Sequence, residues 1–130
     1  MKLAILHHSD CHISTFHYEI TKDGLIKTLI DNSDKEKQIK RADILMEGSY
    51  EYAIPPQTQL DSLQQLLLSL ALLHPKILIG GHKNIQGENT KCPGTSFPIN
   101  IVRRWANSEM LAERDTRLNK LIEEQYRPFE

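Results

Sequence analysis

The segment Ile79-Gly80-Gly81-His82 is followed, after a loop containing glycine and asparagine, by Thr90-Lys91-Cys92-Pro93-Gly94. An apolar strand therefore ends at a histidine, and the next loop contains a cysteine. Imidazole and thiolate are the preferred protein ligands of Zn²⁺. The pair also has a structural interpretation, in which His82 is hydrogen-bonded at a strand end and Cys92 is a small buried hydrophobic residue.

A second apolar strand, Leu3-Ala4-Ile5-Leu6, ends at His7-His8 near the N-terminus. Side chains alternate between the two faces of a strand, so one histidine of this pair can join His82 and Cys92. Two histidines and one cysteine form a three-ligand set, and catalytic zinc sites leave the fourth position for water or substrate. The sequence thus predicts a zinc site at the ends of two strands.

The bulk composition is that of an ordinary globular protein. At 130 residues the chain fits one domain, and its net charge of −1 gives no reason to expect nucleic acid or a membrane surface as partner. We expect a monomer. No apolar run approaches the ~20 residues needed to span a bilayer, and the N-terminus lacks the apolar core of about 7–15 residues of a signal peptide. We therefore expect a protein that is cytoplasmic as synthesised, with Cys11 and Cys92 as free thiols.

Hydrophobic periodicity predicts five strands and three helices. The strands are expected at residues 3–7, 16–20, 25–30, 42–47 and 76–79. The helices are expected from Pro55-Pro56 to His74, over 97–105 and from 109 to about 126, whereas residues 31–41 are expected to form an exposed loop or helical turn. This order predicts an α/β fold with a central mixed β-sheet flanked by α-helices.

Together these motifs resemble the zinc-dependent N-acetylmuramoyl-L-alanine amidases of the type 2 family, which includes small phage endolysins and the animal peptidoglycan recognition proteins. The resemblance covers residues 3–105. The matching motifs are Ile5-Leu6-His7-His8-Ser9, Phe16-His17-Tyr18-Glu19-Ile20 with Lys22-Asp23-Gly24, Gln59 with Leu63, Leu66 and Leu67, Ile79-Gly80-Gly81-His82, and Cys92-Pro93-Gly94.

The resemblance implies a ligand set, a reaction and a domain. The family's zinc ligands correspond to His7, His82 and Cys92, and its substrates are peptidoglycan or muropeptide fragments. The implied reaction is hydrolysis of the amide bond between the lactyl group of N-acetylmuramic acid and L-alanine. Residues 1–106 would form a minimal amidase domain, and residues 107–130 a C-terminal helical extension of it. A phage endolysin, which reaches the wall once the membrane is breached, and a cellular recycling or remodelling enzyme both fit.

The chain departs from the family pattern around the expected catalytic groups. The span from His7 to Phe16 is short, so the helix usually inserted there is expected to be absent, and the segment before Gly48 is also abbreviated. Phe16 stands where the family often has a catalytic tyrosine. Some relatives use a glutamate whose equivalent here is Leu45, and Glu47 follows two residues later on the same face.

Three residues are therefore candidates for catalysis. Glu47 is the candidate general base, although it could equally be a solvent-facing strand end. Thr90 or Lys91 could stabilise the oxyanion, although the Thr90 hydroxyl could equally serve to form a turn. Cys11 and His12 are expected to lie in a surface loop.

Two other functions fit the same motifs. The first is a peptidoglycan-binding module with little or no turnover, which Phe16 and the shortened groove favour and Cys92 disfavours. The second is a nuclease or other metallohydrolase that adds Asp10 to the three ligands, and the Cys92-Pro93-Gly94 motif makes it the weaker alternative.

Overall fold

A five-stranded mixed sheet forms the centre of the protein. The computed structural model describes residues 2–29 and 41–125, with the side chains of residues 121–125 left out of the description. The strands are β1 (Leu3–His8), β2 (Tyr18–Ile20), β3 (Ile26–Thr28), β4 (Arg41–Met46) and β5 (Leu78–Gly81), in the sheet order β3-β2-β4-β1-β5. β3 is antiparallel to β2, and the other neighbours are parallel. The predicted mixed α/β sheet is therefore confirmed.

β1 lies between β4 and β5 and is buried along nearly its whole length. A parallel strand covered on both faces needs apolar side chains on both, which explains why Ala4, Ile5 and Leu6 interrupt the usual polar alternation. This run ends at two histidines that are also buried, His7 at 0% and His8 at 4% exposure. The C-terminal end of β1 therefore carries two histidines that are shielded from solvent.

Helices cover the sheet and close the core. They are α1 (Gln57–Leu73), α2 (Ile99–Ala106) and α3 (Glu109–Gln125). α1 begins directly after Pro55-Pro56 and ends before His74, as the sequence predicts, and it buries Leu63, Leu67 and Ala71. α3 contacts both α1 and α2, and Met110 in its first turn is buried. No helix in the described residues is long and apolar enough to cross a membrane.

Several predicted boundaries shift in the structure. The strand expected over 16–20 is β2 from Tyr18, and the one expected over 25–30 is the shorter β3. The strand expected over 76–79 begins later and runs through Gly80 and Gly81, because Gly81 pairs with Leu6 of β1. Most of the loop expected over 31–41 lies outside the described residues.

Candidate metal centre

Four side chains converge at the edge of the sheet where β1 and β5 end. They are His7, Cys11, His82 and Cys92, and their ligand atoms all lie within 4.8 Å of one another. His7, His82 and Cys92 are at most 2% exposed. The structure therefore brings together all three residues expected to bind zinc, and it adds Cys11.

Three of the spacings between ligand atoms match those around a tetrahedral zinc ion. Zn–S bonds of ~2.3 Å and Zn–N bonds of ~2.0–2.1 Å place sulfur and nitrogen ligands about 3.6 Å apart across a tetrahedral edge. The Cys92 Sγ to His7 Nδ1 distance is 3.6 Å. Cys11 Sγ lies 3.5 Å from His7 Nδ1 and 3.3 Å from His82 Nδ1. The donor set and its spacing thus fit Zn²⁺.

Strand pairing brings the two histidines side by side. β1 and β5 are parallel neighbours, so their C-terminal ends lie at the same edge of the sheet. Gly81 pairs with Leu6, and His7 and His82 each follow directly. Their rings meet edge to face with centroids 4.9 Å apart. His8 points away from this pair, and its Nδ1 accepts a hydrogen bond from the Tyr50 amide.

The loop that carries Cys92 packs directly on the end of β5. A Cβ atom on Gly81 would lie 2.7 Å from Cδ of Pro93, a distance that real Cβ contacts do not reach. The Cys92 carbonyl also accepts a hydrogen bond of 2.8 Å from the Lys83 amide. The glycine before His82 is therefore required by the close approach of the cysteine loop.

Gly94 allows the same loop to cross the segment at Tyr50. Its φ of +110° is unfavourable for other residues, and a Cβ atom there would lie 2.3 Å from the Tyr50 carbonyl. The Tyr50 hydroxyl in turn donates to the buried amide of Gln59. Gln59 donates to the carbonyls of Ile20 and Glu47, so this motif residue fixes the ends of β2 and β4 rather than contributing to the metal cluster.

Asp43 holds His7 from the side opposite the cluster. Its Oδ1 lies 2.7 Å from His7 Nε2 and 2.9 Å from Nε of Arg41. Burial alone would raise the pKa of Asp43, but the hydrogen bonds from His7 and Arg41 hold it below its ordinary value. A proton on Nε2 directed at this carboxylate leaves Nδ1 of His7 free to bind a metal. His17 helps to hold Asp43 in place, because its Nδ1 accepts a hydrogen bond from the Asp43 backbone amide.

His82 has a weaker partner on its outer side. Its Nε2 lies 3.5 Å from Oε2 of Glu88, and this nitrogen is buried without a hydrogen-bond partner among the described residues. Burial lowers the pKa of His82, which favours the neutral ring that binds metals. The Cys92 thiol is also buried, which raises its pKa to about 12. Metal binding at this site must therefore displace a thiol proton.

The three residues expected to act in catalysis make contacts of their own, and none of them is among the four clustered ligands. The Glu47 carboxylate accepts a hydrogen bond of 3.1 Å from the Lys22 amide. The Thr90 hydroxyl accepts a hydrogen bond of 3.2 Å from the Cys92 backbone amide. The side chain of Lys91 is 82% exposed, with its Nζ 3.9 Å from a Glu51 oxygen.

The rings of Phe16 and His12 lie against the two clustered histidines. Phe16 meets His7 edge-on with a centroid distance of 5.3 Å, and His12 lies 5.5 Å from His82. Asp10, the acid of the nuclease alternative, accepts a hydrogen bond from Ser49 and is not one of the clustered ligands.

Cys11 and His12 lie in the loop after β1, as expected, but this loop packs against the metal cluster. His12 is exposed, but both residues contact the cluster. The turn after β1 folds back, because the Cys11 amide donates to the His8 carbonyl. In the sequence, the only sign of this contact is that Cys11 follows His7 by four residues. That spacing brings the two side chains together only because the turn folds back.

Solved structures share this fold. The amidase LysC from Clostridium intestinale is 21% identical, with a TM-score of 0.63, and the match covers 82% of this chain and 85% of that one. Drosophila PGRP-LB is 20% identical, with a TM-score of 0.61 and 79% of each chain covered. Human PGRP-IBETAC, solved with glycosamyl muramyl pentapeptide, is 19% identical, with a TM-score of 0.60 and 80% of this chain and 82% of that one covered.

The likeness is one of structure. No sequence-family model matches the chain, and no curated protein matches it in sequence. The comparisons therefore establish a minimal version of the fold that these amidases and peptidoglycan recognition proteins share.

Proposed function

We propose that this protein is a zinc-dependent N-acetylmuramoyl-L-alanine amidase that hydrolyses the lactyl–L-alanine amide bond of peptidoglycan. One observation carries the proposal: the ligand atoms of His7, His82 and Cys92 converge within 4.8 Å at the strand ends of an amidase-like fold. A buried cluster of two imidazoles and a thiol has a simple explanation as a metal site, because buried polar groups otherwise need hydrogen-bond partners.

Muropeptides are the proposed substrate class. Human PGRP-IBETAC is described in complex with a glycosamyl muramyl pentapeptide, and a tyrosine-to-phenylalanine mutant of Drosophila PGRP-LB is described with tracheal cytotoxin. These complexes support binding of muropeptide fragments by the same fold here. They also show that a phenylalanine variant of this fold can hold such a ligand, which is relevant because Phe16 contacts His7.

The chain's own residues suggest how hydrolysis would proceed. Bound zinc would supply Lewis acidity and a water activated for attack. Asp43 would keep His7 oriented with Nδ1 towards the cluster, and second-shell carboxylates of this kind also raise ligand basicity. The two neutral imidazoles and the thiolate required for binding would come from His7, His82 and Cys92.

A general base and an oxyanion donor complete the proposed machinery. Glu47 is the proposed base, and one of its carboxylate oxygens accepts a hydrogen bond from the Lys22 amide. Thr90, whose hydroxyl lies beside the Cys92 amide, is the better placed oxyanion donor. Lys91 is the alternative, because its exposed ammonium group is only loosely paired with Glu51.

Two observations favour a second function, a muropeptide-binding module with little or no turnover. Phe16 presents a ring without a hydroxyl to His7. Cys11 lies where a catalytic zinc site keeps an open position, since its Sγ is within tetrahedral distance of both histidine Nδ1 atoms. Both features are compatible with binding and unfavourable for chemistry.

The test combines metal analysis with a defined substrate. The purified protein is loaded with zinc, its stoichiometry is measured, and it is incubated with N-acetylmuramoyl-L-alanyl-D-isoglutamine. Amidase activity yields N-acetylmuramic acid and a dipeptide with a free L-alanine amino group. Binding of the intact muropeptide without this product would support the binding module, and the absence of both would refute both functions.

A further inference from the structure

Cys11 occupies the fourth corner of the metal cluster. Its Sγ lies 3.5 Å from His7 Nδ1 and 3.3 Å from His82 Nδ1, close to the sulfur–nitrogen edge of about 3.6 Å in a tetrahedral zinc site. The Cys92 Sγ to His7 Nδ1 distance, between two residues already expected to be ligands, is 3.6 Å. By distance, Cys11 is therefore as much a ligand as Cys92.

The turn after β1 holds Cys11 in this position. The Cys11 amide donates to the His8 carbonyl at 3.1 Å, which closes the turn. Ser9 ties it to the segment after β4, because its amide donates to the Gly48 carbonyl at 2.8 Å and its hydroxyl accepts the Gly48 amide at 2.9 Å. Residues 9–17 contain no helix, so the short connection folds directly over the cluster.

We propose that Cys11 is the fourth protein ligand and closes a Cys₂His₂ zinc site, so that the turn carrying it gates the position that catalytic zinc sites leave open. Zinc sites with four protein ligands are characteristically structural, whereas catalytic sites have three protein ligands. In its resting form the centre therefore has the ligand number of a structural site within an amidase-like fold.

The gate has a consequence for access to the metal position. For a muropeptide carbonyl to approach that position, the Cys11 side chain must move away from it. Cys11 is the partly exposed member of the cluster, whereas Cys92 is buried and is followed by two further buried residues, Pro93 and Gly94. Cys11 is therefore the ligand that can leave without dismantling the core. Only this consequence for turnover rests on the proposed function; the ligand assignment stands apart from it.

The test counts sulfur ligands. X-ray absorption of the zinc-loaded wild type should show two sulfur atoms at about 2.3 Å, and the Cys11→Ala variant should show one. Cobalt substitution gives a second measurement, because thiolate-to-cobalt charge-transfer absorption increases with the number of thiolates. His12→Ala is the matched control, since its ring lies 5.5 Å from His82 on the same turn, and it should retain two sulfurs.

The outcomes separate this inference from the proposed function. One sulfur in the wild type would overturn the inference, whether or not the protein is an amidase, and so would two sulfurs in Cys11→Ala. Two sulfurs in the wild type, falling to one in Cys11→Ala, would establish Cys11 as a ligand. If Cys11→Ala then cleaves muropeptide faster than the wild type, the gate is supported. If neither cleaves it, the ligand assignment survives and the amidase proposal fails.

Discussion

Asn in place of Asp43 should weaken zinc binding without altering any ligand. Asp43 Oδ1 lies 2.7 Å from His7 Nε2, and the carboxylate is only 13% exposed, so water cannot easily replace it. Asp43→Asn keeps the size but removes the negative charge that orients and polarises His7. Loss of such an outer partner typically costs about 10–100-fold in metal affinity or activity, equivalent to about 1.4–2.8 kcal/mol. Because the backbone amide at position 43 still donates to His17 Nδ1, we expect affinity rather than folding to change.

The assay is competition with a chromophoric chelator at neutral pH, where the lowered pKa of Asp43 keeps the wild-type carboxylate ionised. Circular dichroism reports whether the fold survives. Asp115→Asn is the control, because this aspartate is 61% exposed on α3, pairs with Arg114 and is not one of the clustered residues. A dissociation constant for Asp43→Asn within twofold of the wild type would refute the role assigned to Asp43.

Three further predictions follow from the same geometry. His82→Ala should abolish stoichiometric zinc while keeping most helix content, and full zinc occupancy in the variant would contradict the ligand assignment. Gly81→Ala should destabilise the fold by about 1–3 kcal/mol in denaturant unfolding, because its Cβ would lie 2.7 Å from Pro93, whereas Gly80→Ala meets only ordinary contacts and serves as the control. Glu47→Gln should lower the turnover number by about 10²–10⁴ with zinc content unchanged, and parental activity would exclude Glu47 as the base.

The fold was predictable where local pattern and tertiary context agree. β1 and α1 have unambiguous apolar patterns, and α1 lies between Pro55-Pro56 and Pro75, so their boundaries are nearly right. β5 begins and ends two residues later than the pattern predicts, because Gly80 and Gly81 look like a strand end in the sequence. Their pairing with β1 and the contact of Gly81 with Pro93 make them part of the strand, and neither is visible in local propensity.

Only part of the candidate metal site could be predicted from sequence, because the remaining residues are brought to it by tertiary structure. His7, His82 and Cys92 follow from strand ends and a motif, whereas Asp43 and Cys11 depend on three-dimensional placement. Asp43 is a lone acid within the apolar strand β4, and only strand register brings it to His7. Cys11 depends on the direction of a turn that is fixed by Ser9 and Gly48. An acidic residue between the apolar residues of a strand is nevertheless a signal that sequence analysis can use.

The amidase proposal is tested most directly by mass spectrometry of N-acetylmuramoyl-L-alanyl-D-isoglutamine after incubation with the zinc-loaded protein, with wild type and Cys11→Ala side by side. We predict cleavage at the lactyl–L-alanine bond, with release of N-acetylmuramic acid and a dipeptide bearing a new amino terminus. Cleavage should be faster for Cys11→Ala and absent after chelation of the zinc. An intact substrate with both zinc-loaded proteins would contradict the amidase proposal.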